Sequence, residues 1–472
     1  MPRRIVLGLM LVAVHSFLHG CGDDAARDAE AVDSRPASIP VVVVGMDGLD
    51  WQVILPMLAE GRLPNMAGLM ERGTYGYLES RRPTFSPILW TSIATGKGHR
   101  KHGIHQFARR TPDGRITLYN SADRTTKAVW NILSDYGKRV SCVGWWMTYP
   151  VEEINGVMVA QTNTLDQLDM RAGKNVWKGT LLRGVPGQVY PVERQNAMMA
   201  ILVQVNMDLP ALVRQIFEEF RYPMSLLGRR MWNNCQWAFR ADATYLRIAT
   251  TLARERPLPD VTLLYFGGPD VVGHRFWRYR EPDLYRHRPT DQQIANFGHM
   301  IEQYYAYIDQ ALGQVLGACG PDVRFFVVSD HGMHPVNLEA RFDPDDPPSD
   351  IDSGGHPDAP PGVFIAAGPG IRASVEGKRS QDVVASDLET VGSVLDVTPT
   401  ILAMMRIRIG QDMDGLPLVQ LFEEEVEIAR QPAPVPTHDT AEFLAGRGHP
   451  APTHPGEQER LEQLRRLGYI DE

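Results

Sequence analysis

The sequence contains little cysteine and no excess of positive charge. Four cysteines occur among 472 residues, and no two of them form a C-x-x-C pair. Neither a disulfide framework nor a structural zinc site built on such pairs is therefore expected. Lysine and arginine total 48 against 57 acidic residues, which gives a net charge of −9. Because an acidic protein repels the phosphate backbone, a nucleic-acid polymer is disfavoured as a partner. Any phosphate chemistry would need local positive charge, most simply a metal ion.

Charged and apolar residues are mixed along the whole chain, without the series of long apolar runs that a multi-span membrane protein requires. The apolar stretch over residues 5–18 follows Arg3 and Arg4 and is too short to span a bilayer comfortably. This pattern predicts a secretory signal peptide over residues 1–20. The following Leu18-His19-Gly20-Cys21 resembles a lipoprotein cleavage site, which implies export to the cell envelope or periplasm and a membrane anchor through a lipid on Cys21. A plain signal peptide or a short anchor is the alternative.

Two polar segments flank the remaining sequence. Residues 21–40 show neither periodicity nor aromatic side chains and are interpreted as a tether. Residues 431–472 carry prolines repeatedly between positions 432 and 455, before helical spacing returns over 457–467. This composition favours a solvated, Pro-rich tail with a short C-terminal helix.

Short apolar runs rich in β-branched residues predict strands that are buried on both faces. Such runs lie at residues 41–46, 139–146, 261–266, 323–328 and 362–366. Helical spacing separates them, for example over residues 301–315. The alternation of strands and helices predicts an α/β core with a mostly parallel sheet over residues 41–164 and 259–430.

Residues 165–258 break this alternation. The stretch is rich in methionine, leucine, arginine and tryptophan, and helical spacing recurs over 211–220 and 237–253. We interpret it as a helical insertion that caps the active edge of the sheet, because no obvious buried strand interrupts it. A longer set of sheet-flanking helices is the alternative.

Carboxylates and imidazoles follow three of the predicted strands. Asp47 comes directly after the first run, Asp270 and His274 follow the third, and Asp330 with His331 follows the fourth. Because ligands of open α/β sheets bind beyond the carboxyl ends of the strands, these side chains are expected at one rim. The D-x-x-x-H spacing of Asp270 and His274 places them one turn apart if the segment is helical.

A further histidine, His356, lies in the loop before the last run and can reach the same rim. Each residue alone has a structural explanation. Asp47-Gly48 suits a turn, Asp330 suits a helix cap, and a lone histidine is more often packed or solvated than a ligand. Together, three aspartates and three histidines form the mixed oxygen and nitrogen set that two divalent transition metals require.

The candidate nucleophile is Ser86. Ser86-Pro87 predicts an N-cap followed by the first residue of a helix that ends at Gly96. One interpretation is that Ser86 only caps this helix. However, a hydroxyl at the positive end of a helix is also well placed to ionise beside a metal and to face a phosphate.

With these residues assembled, the chain resembles the alkaline phosphatase superfamily and is most similar to its type I phosphodiesterase and nucleotide pyrophosphatase branch. The similarity runs from Val41 to about Leu421. Its motifs are Gly45-Met46-Asp47-Gly48, Leu63-Pro64-Asn65-Met66, the segment 86–96 continuing to His102-Gly103-Ile104, the pair Asp270 and His274, Ser329 to Met333, and Asp396 to Leu402 with Asp414-Gly415. The resemblance implies an alkaline-phosphatase-like three-layer α/β sandwich that hydrolyses phosphoric esters.

The resemblance also implies two divalent metal ions, with zinc expected. Carried over residue by residue, it assigns Asp47, Ser86, Asp330 and His331 to one metal, and Asp270, His274 and His356 to the other. Ser86 is the implied nucleophile, activated by metal, and its phosphoseryl intermediate is then hydrolysed by water.

Two positions depart from the family pattern. The family usually has threonine at Ser86, so the hydroxyl is retained. It has a phosphate-holding asparagine where this chain has Leu89, which argues against nucleotide substrates. The implied substrate is a small phosphoester.

Other functions remain as alternatives. A sulfatase of the same superfamily needs cysteine or serine in a C/S-x-P-x-R context, which residues 86–90 do not provide. A phosphomonoesterase or phosphotransferase, such as a cofactor-independent phosphoglycerate mutase, would also use serine and two metals, but an export signal disfavours a glycolytic role. A non-catalytic surface-binding lipoprotein is disfavoured because the whole ligand set is present.

Overall fold

The structure is a computed structural model that describes residues 39–110, 116–161, 181, 185–217, 219–341, 352–374, 379–423 and 432–447. The predicted signal peptide, the lipidation site at Cys21, nearly all of the tether and the predicted helix over 457–467 lie outside the described residues, and these assignments stay predictions.

Thirteen strands are found in the described part of the chain: β1 Val41–Met46, β2 Gly73–Glu79, β3 Ala108–Arg110, β4 Ile116–Leu118, β5 Val140–Val143, β6 Gly156–Val159, β7 Val189–Tyr190, β8 Val261–Phe266, β9 Arg324–Val328, β10 His334–Pro335, β11 Gly354–Gly355, β12 Gly362–Ala367 and β13 Thr390–Ser393.

The α-helices of the same residues are α1 Trp51–Ala59, α2 Pro64–Met70, α3 Ser86–Thr95, α4 His99–His102, α5 Val129–Asp135, α6 Gln195–Ile216, α7 Leu226–Arg254, α8 Gly268–Arg280, α9 Asp291–Phe297, α10 Met300–Cys319, α11 Val397–Met404 and α12 Ala441–Ala445.

Nine of the described strands form one sheet in the order β13-β2-β12-β9-β1-β8-β5-β6-β7. The central strand β1 pairs in parallel with both β8 and β9, with Val41 opposite Val261 on one side and Arg324 on the other. Strand β12 is antiparallel to β9 and to β2, and β7 is antiparallel to β6. The prediction of a mostly parallel sheet is confirmed, and β12 and β7 are its reversed strands.

The sheet is the middle of three layers. Strand β1 is buried along its whole length because its alternating side chains face helices on both sides. Val42, Val44 and Met46 join the core beneath α1, α2, α6, α7, α8 and α10. Val41 and Val43 join the core beneath α3, α5 and α11. The predicted three-layer α/β sandwich is confirmed.

Much of the described part of residues 165–258 is helical. Helix α7 packs against β5 and β8 of the sheet and against α8 and α10, and α6 packs along α7. The stretch also supplies the short edge strand β7, which the sequence did not indicate. Residues 162–180 and 182–184 are not among the described residues, so the cap over the active edge stays a prediction.

Helix α6 and the turn before it form a segment, Val192–Ile216, long and apolar enough by composition to cross a membrane. Here it lies in the outer helical layer, with Met198, Leu202 and Ile216 buried against the core. These apolar side chains of the segment therefore pack inside the protein.

The described residues 432–447 of the predicted tail are exposed or half-buried, but two of them pair with buried charges of the core. Asp439 pairs at 2.7 Å with the Lys97 ammonium, whose side chain is 3% exposed and also pairs with Asp412. Arg447 pairs with the buried carboxylate of Glu152. Buried charges require partners of opposite sign, and the segment after the prolines provides some of them.

Candidate metal and catalytic site

The sheet brings the predicted metal ligands to one rim. Asp47 follows β1, helix α8 carries Asp270 and His274 directly after β8, and Asp330 and His331 follow β9. His356 precedes β12 instead of following it. Because β12 is antiparallel to β9, its amino end lies at the carboxyl ends of the parallel strands. The predicted convergence of these three aspartates and three histidines is therefore observed.

One part of the cluster surrounds His331. Its Nε2 atom lies 3.4 Å from Oδ1 of Asp47 and 3.4 Å from Oδ2 of Asp330. Asp47, Asp270 and His331 have donor atoms within 4.8 Å of one another. These residues can therefore hold one ion.

The other part is centred on helix α8. His274 Nε2 lies 3.3 Å from Oδ1 of Asp270, so the D-x-x-x-H pair sits one helical turn apart, as predicted. Asp270, His274 and His356 also have donor atoms within 4.8 Å of one another. The His356 ring stacks on His331 with centroids 4.2 Å apart and meets the His274 ring at 5.1 Å. Asp270 thus belongs to both groups and lies between them.

Several donor atoms of this cluster are buried without a hydrogen-bond partner among the described residues. They are Oδ1 of Asp47, Oδ1 of Asp270, both carboxylate oxygens of Asp330 and Nε2 of His331. A buried charged acceptor left without a partner costs roughly several kcal/mol. Carboxylate oxygens and imidazole nitrogens at these separations are what a divalent transition metal binds. The residues present therefore fit a metal centre.

The histidine tautomers support the same conclusion. His274 Nδ1 lies 2.9 Å from the carbonyl oxygen of Gly354, and His331 Nδ1 lies 2.9 Å from that of Gly332. A carbonyl can only accept, so each Nδ1 carries the proton. In the neutral ring, each Nε2 then directs its lone pair to the cluster, which is the form that binds a metal.

The electrostatics show that the carboxylates resist ionising together. Burial and the nearby Asp270 raise the pKa of Asp47, and burial and Asp47 raise the pKa of Asp330 well above its usual range. Burial also acts to raise the pKa of Asp270, but the adjacent His274 outweighs it and the pKa falls. Burial lowers the pKa of His356. Bound cations would relieve this mutual repulsion.

Asp47 is oriented by two donors that sequence reasoning missed. The Tyr265 hydroxyl donates to Oδ2 of Asp47 at 2.6 Å, and the Trp90 indole donates to the same oxygen at 2.9 Å. The Trp146 indole in turn donates to the Tyr265 hydroxyl at 2.8 Å. These bonds occupy Oδ2 and leave Oδ1 facing His331.

The loops after β1 and β9 are joined to each other. Asp50 accepts from the N–H of Gln52 at 2.6 Å and from the N–H of Met333 at 2.8 Å. Ser329 Oγ accepts from the N–H of Leu49 at 2.9 Å and donates to the carbonyl of His331 at 2.8 Å. The loop that carries Asp47 is therefore fixed to the loop that carries Asp330 and His331.

Close packing also requires glycine beside Asp47. Gly48 has φ +67°, and a Cβ placed there would lie 2.9 Å from Cα and Cβ of Asp270. A side chain at this position would push the β1 loop away from helix α8. The Gly in the Asp47-Gly48 pair therefore allows the two halves of the cluster to approach.

Helix α8 is held at its start by Asp242 from helix α7. The Asp242 carboxylate accepts from the N–H groups of Gly267 and Gly268 at 3.0 and 2.9 Å, and from the Tyr304 hydroxyl at 2.7 Å. Burial raises the pKa of Asp242 to about 7. One side chain from the 165–258 stretch thus positions the helix that carries Asp270 and His274.

Ser86 is the first residue of helix α3, and Phe85 occupies the N-cap. The prediction that Ser86 caps the helix is wrong by one position, because Pro87 occupies the second helical position rather than the first. Within the described residues no side chain caps this helix. The hydroxyl of Ser86 is therefore not consumed by capping. Gly96 ends the helix in the left-handed conformation, with φ +66°, as predicted.

A cleft of about 680 Å³ lies beside the cluster. Its described lining consists of Arg82, Pro83, Thr84 and Phe85 on the segment leading to Ser86, and of His274, Val336, Asn337, Asp352, Gly354, Gly355, His356 and Pro357. A cleft of this size accommodates a small organic ligand. Both His274 and His356 lie in its wall, so a ligand in the cleft would be next to the cluster.

Comparison with known proteins gives one family and several solved structures. The model of the type I phosphodiesterase / nucleotide pyrophosphatase family matches residues 41–395. No curated protein matches the chain significantly.

Among solved structures, phosphonoacetate hydrolase from Sinorhizobium meliloti 1021 is 17% identical with a TM-score of 0.38, and the match covers 63% of this chain and 57% of that one. Human ectonucleotide pyrophosphatase / phosphodiesterase 5 is 12% identical with a TM-score of 0.45, covering 82% and 100%. A putative sulfatase from Bacteroides thetaiotaomicron VPI-5482 is 11% identical with a TM-score of 0.46, covering 82% and 75%.

Proposed function

The chain belongs to the type I phosphodiesterase / nucleotide pyrophosphatase family, a family of phosphoric ester hydrolases, and on that premise we propose that it hydrolyses small phosphodiesters with Ser86 as the nucleophile. The proposed cofactors are two divalent metal ions, with zinc expected. The observation that carries this proposal is the set of buried, unpartnered donor atoms on Asp47, Asp270, Asp330 and His331, at positions where the family places metal ligands.

The proposed ligands divide between two ions. Asp47, Asp330 and His331, with the Ser86 oxygen, would hold one ion, and Asp270, His274 and His356 would hold the other. When bound, the metals supply positive charge that lowers the pKa of the serine hydroxyl and neutralises the phosphoryl oxygens. Asp270 lies within 4.8 Å of donor atoms from both groups and would keep the two ions close.

The chain's own groups define the proposed reaction. The Ser86 oxygen attacks phosphorus, the serine proton is lost, and the bond to the leaving alcohol breaks as that alcohol takes up a proton. The phosphoseryl group still carries the second ester arm. Water then attacks its phosphorus, the bond to the Ser86 oxygen breaks, the serine regains a proton, and the product is a phosphomonoester. Tyr265 and Trp90 hold Asp47 in place throughout, and Asp242 holds the start of helix α8.

Leu89 limits the choice of substrate. It is fully buried in the core beneath α3, so it offers no polar group to a phosphoryl oxygen at the position where the family has an asparagine. This supports small, non-nucleotide phosphodiesters as the proposed substrates.

Export remains part of the proposal. The signal-like residues 1–20 and the candidate lipid-bearing Cys21 support a lipoprotein of the cell envelope. Metabolic labelling with a radioactive fatty acid should mark the full chain and should fail to mark Cys21→Ala. Equal labelling of both would remove the lipid anchor from the proposal.

The function is tested with zinc-loaded protein and three chromogenic esters: bis(p-nitrophenyl) phosphate, p-nitrophenyl phosphate and p-nitrocatechol sulfate. We expect the diester to be the best substrate. Ser86→Ala should keep its zinc on elemental analysis and lose roughly a thousandfold or more in kcat. A matched control is Ser134→Ala. Ser134 lies near the end of helix α5, and its hydroxyl donates to the carbonyl of Trp130.

Two outcomes would overturn the proposal. Undiminished hydrolysis by Ser86→Ala would remove the nucleophile. A preference for the sulfate ester, or the absence of bound metal from active protein, would remove the proposed reaction.

A further inference from the structure

Charge is distributed unevenly around the cleft described above. Among its described lining residues, Arg82 carries the one guanidinium or ammonium group. Asp352, the carboxylate of the lining, is paired with Arg275, and the two side chains are 13% and 10% exposed. Apart from the histidines next to the cluster, the remaining described lining residues are uncharged, so Arg82 is the charged group of this lining whose partner lies outside it.

Arg82 is close in the chain to the proposed nucleophile, but its side chain is exposed. It lies four positions before Ser86, and its guanidinium pairs with Asp358, which follows His356 by two positions. The Arg82 and Asp358 side chains are 71% and 68% exposed. An exposed ion pair of this kind contributes little to stability. An incoming anion can therefore replace Asp358 at little cost.

The backbone beneath Arg82 is fixed relative to the site. Thr84 is buried, and its hydroxyl donates to the carbonyl of His356 at 2.6 Å. This bond joins the segment 82–85 to the loop that carries a proposed metal ligand. The backbone two residues after Arg82 is therefore held relative to His356, while the exposed guanidinium can exchange Asp358 for a ligand.

The rest of the cleft suits an uncharged body. Pro83, Phe85, Val336 and Pro357 contribute apolar surface to its lining. No carboxylate without a cationic partner lines the described part of the cleft, since Asp352 is neutralised by Arg275. Among the described lining residues, a cationic group such as a quaternary ammonium would therefore meet no unpaired carboxylate, whereas an anionic group would meet Arg82.

We propose that Arg82 determines specificity: the cleft takes the second ester arm of the substrate, and Arg82 binds an anionic group, a carboxylate or a second phosphate, on that arm. This inference rests on the proposed function and names its substrate class. A guanidinium forms paired hydrogen bonds to either anion, so the shared chemistry is a pair of negatively charged acceptor oxygens on one group.

The test uses zinc-loaded protein and p-nitrophenyl phosphodiesters that share the leaving group and differ in the second arm. The arms are methyl, carboxyethyl, phosphoethyl and choline. We expect kcat/KM to be about tenfold higher for an anionic arm than for methyl, and lower for choline than for methyl. The carboxyethyl and phosphoethyl esters distinguish the two anion sources.

Arg82→Ala should lower kcat/KM for the anionic arms about tenfold, mainly through KM, and leave the methyl ester unchanged. Arg82→Lys should restore part of the loss. Asp358→Ala removes the competing carboxylate and should lower KM for the anionic arms. The matched control is Arg81→Ala, which removes the neighbouring arginine. Arg81 is 52% exposed, lies near Glu79 and is not part of the cleft lining. This control should change none of the esters.

Binding without turnover separates this inference from the proposed function. Calorimetry with 4-phosphonobutyrate and butylphosphonate should show tighter binding of the first, and Arg82→Ala should abolish the difference. If this contrast holds while no ester is hydrolysed, the proposed function fails and the anion site stands. If the esters are hydrolysed with no dependence on the charge of the arm, or if Arg82→Ala lowers all of them equally, the specificity role is overturned.

Discussion

The phenolic hydroxyl of Tyr265 donates to Oδ2 of Asp47 across 2.6 Å, joining two residues at the ends of neighbouring strands β8 and β1. The Trp90 indole donates to the same oxygen. With Oδ2 occupied, the carboxylate has one orientation, and Oδ1 points toward His331. Tyr265 is therefore a positioning residue for a proposed metal ligand, and its hydroxyl can be removed without altering the ligand set.

The first prediction concerns metal affinity. Tyr265→Phe should weaken zinc binding about tenfold, because Asp47 loses the stronger of the bonds that orient it. Competition with a chromophoric chelator measures the change. Tyr245→Phe is the control, since that buried hydroxyl contacts the carbonyl of Ala160 and not Asp47. Equal zinc affinity of Tyr265→Phe and the parent protein would show that the bond does not position the ligand.

The second prediction concerns the contact between two loops. Asp50→Ala removes the acceptor for the N–H groups of Gln52 and Met333 and should lower the free energy of unfolding by about 2 kcal/mol. Urea denaturation measures this value. Asp291→Ala, which removes a 91% exposed carboxylate paired with Arg288, should cost far less. Similar losses in the two variants would contradict the role given to Asp50.

The third prediction concerns the start of helix α8. Asp242→Ala should reduce bound zinc, because the start of the helix that carries Asp270 and His274 loses the two hydrogen bonds from Gly267 and Gly268 that hold its position. Elemental analysis after dialysis gives the metal content, and circular dichroism checks that the protein remains folded. A folded variant with full metal content would show that α8 is held by packing alone.

The fourth prediction concerns pH and His102. Burial lowers the pKa of His102 to about 3 from a usual value near 6.5, and the ring contacts Ser92 Oγ at 3.1 Å. Between those two pH values the unfolded chain binds a proton that the folded chain does not. Stability should therefore fall as pH is lowered from 6.5 to 3, by up to about 1.4 kcal/mol per pH unit from this group.

The comparison of the parent protein with His102→Gln isolates this contribution, because other titrating groups are common to both. The difference in unfolding free energy between the two should shrink as the pH falls below 6.5. A difference that stays constant over the whole range would contradict a neutral, buried His102.

The fifth prediction concerns the segment after the prolines. Burial acts to raise the pKa of Glu152, but Arg124 and Arg447 outweigh it and hold that pKa at about 2. Arg447→Ala leaves Arg124 as the remaining cationic partner of Glu152 among the described residues, and it should destabilise the protein by about 2 kcal/mol. Arg286→Ala, an exposed residue paired with Glu339, serves as the control and should change stability little. Equal stability of the two variants would mean that residues 432–447 do not contribute to the fold.

Sequence patterns identified the strands that consist of continuous apolar residues. Strands β1, β8 and β9 are of this kind, and their predicted bounds agree with the structure within a residue. Strand β2 escaped notice because Gly73–Glu79 mixes glycine, aromatic and polar residues. The direction of β12 could not be predicted either, since a strand buried on both faces has the same composition in both orientations.

The candidate ligands could be chosen from the sequence because each stands next to a predicted strand and has the chemistry of a metal ligand. The residues that orient them could not. Tyr265 and Trp90 resemble ordinary core aromatics, and each meets Asp47 across a large separation in the chain. Asp50 and Asp242 are single acids whose partners are backbone N–H groups, which leave no mark in the sequence.

The reversed direction of β12 affects how the cleft wall is built. The chain leaves the rim after His331 and returns to it at His356, and the short β10–β11 pairing, with His334 opposite Gly355, closes the excursion near both ends. The pairing brings the chain back to the rim within one residue of His356. Val336, Asn337 and Asp352 of the cleft wall belong to this excursion, whereas the ligands stand at its ends. The candidate ligands at the ends of the excursion are thus placed by the sheet, whereas part of the cleft wall is placed by the loop between them.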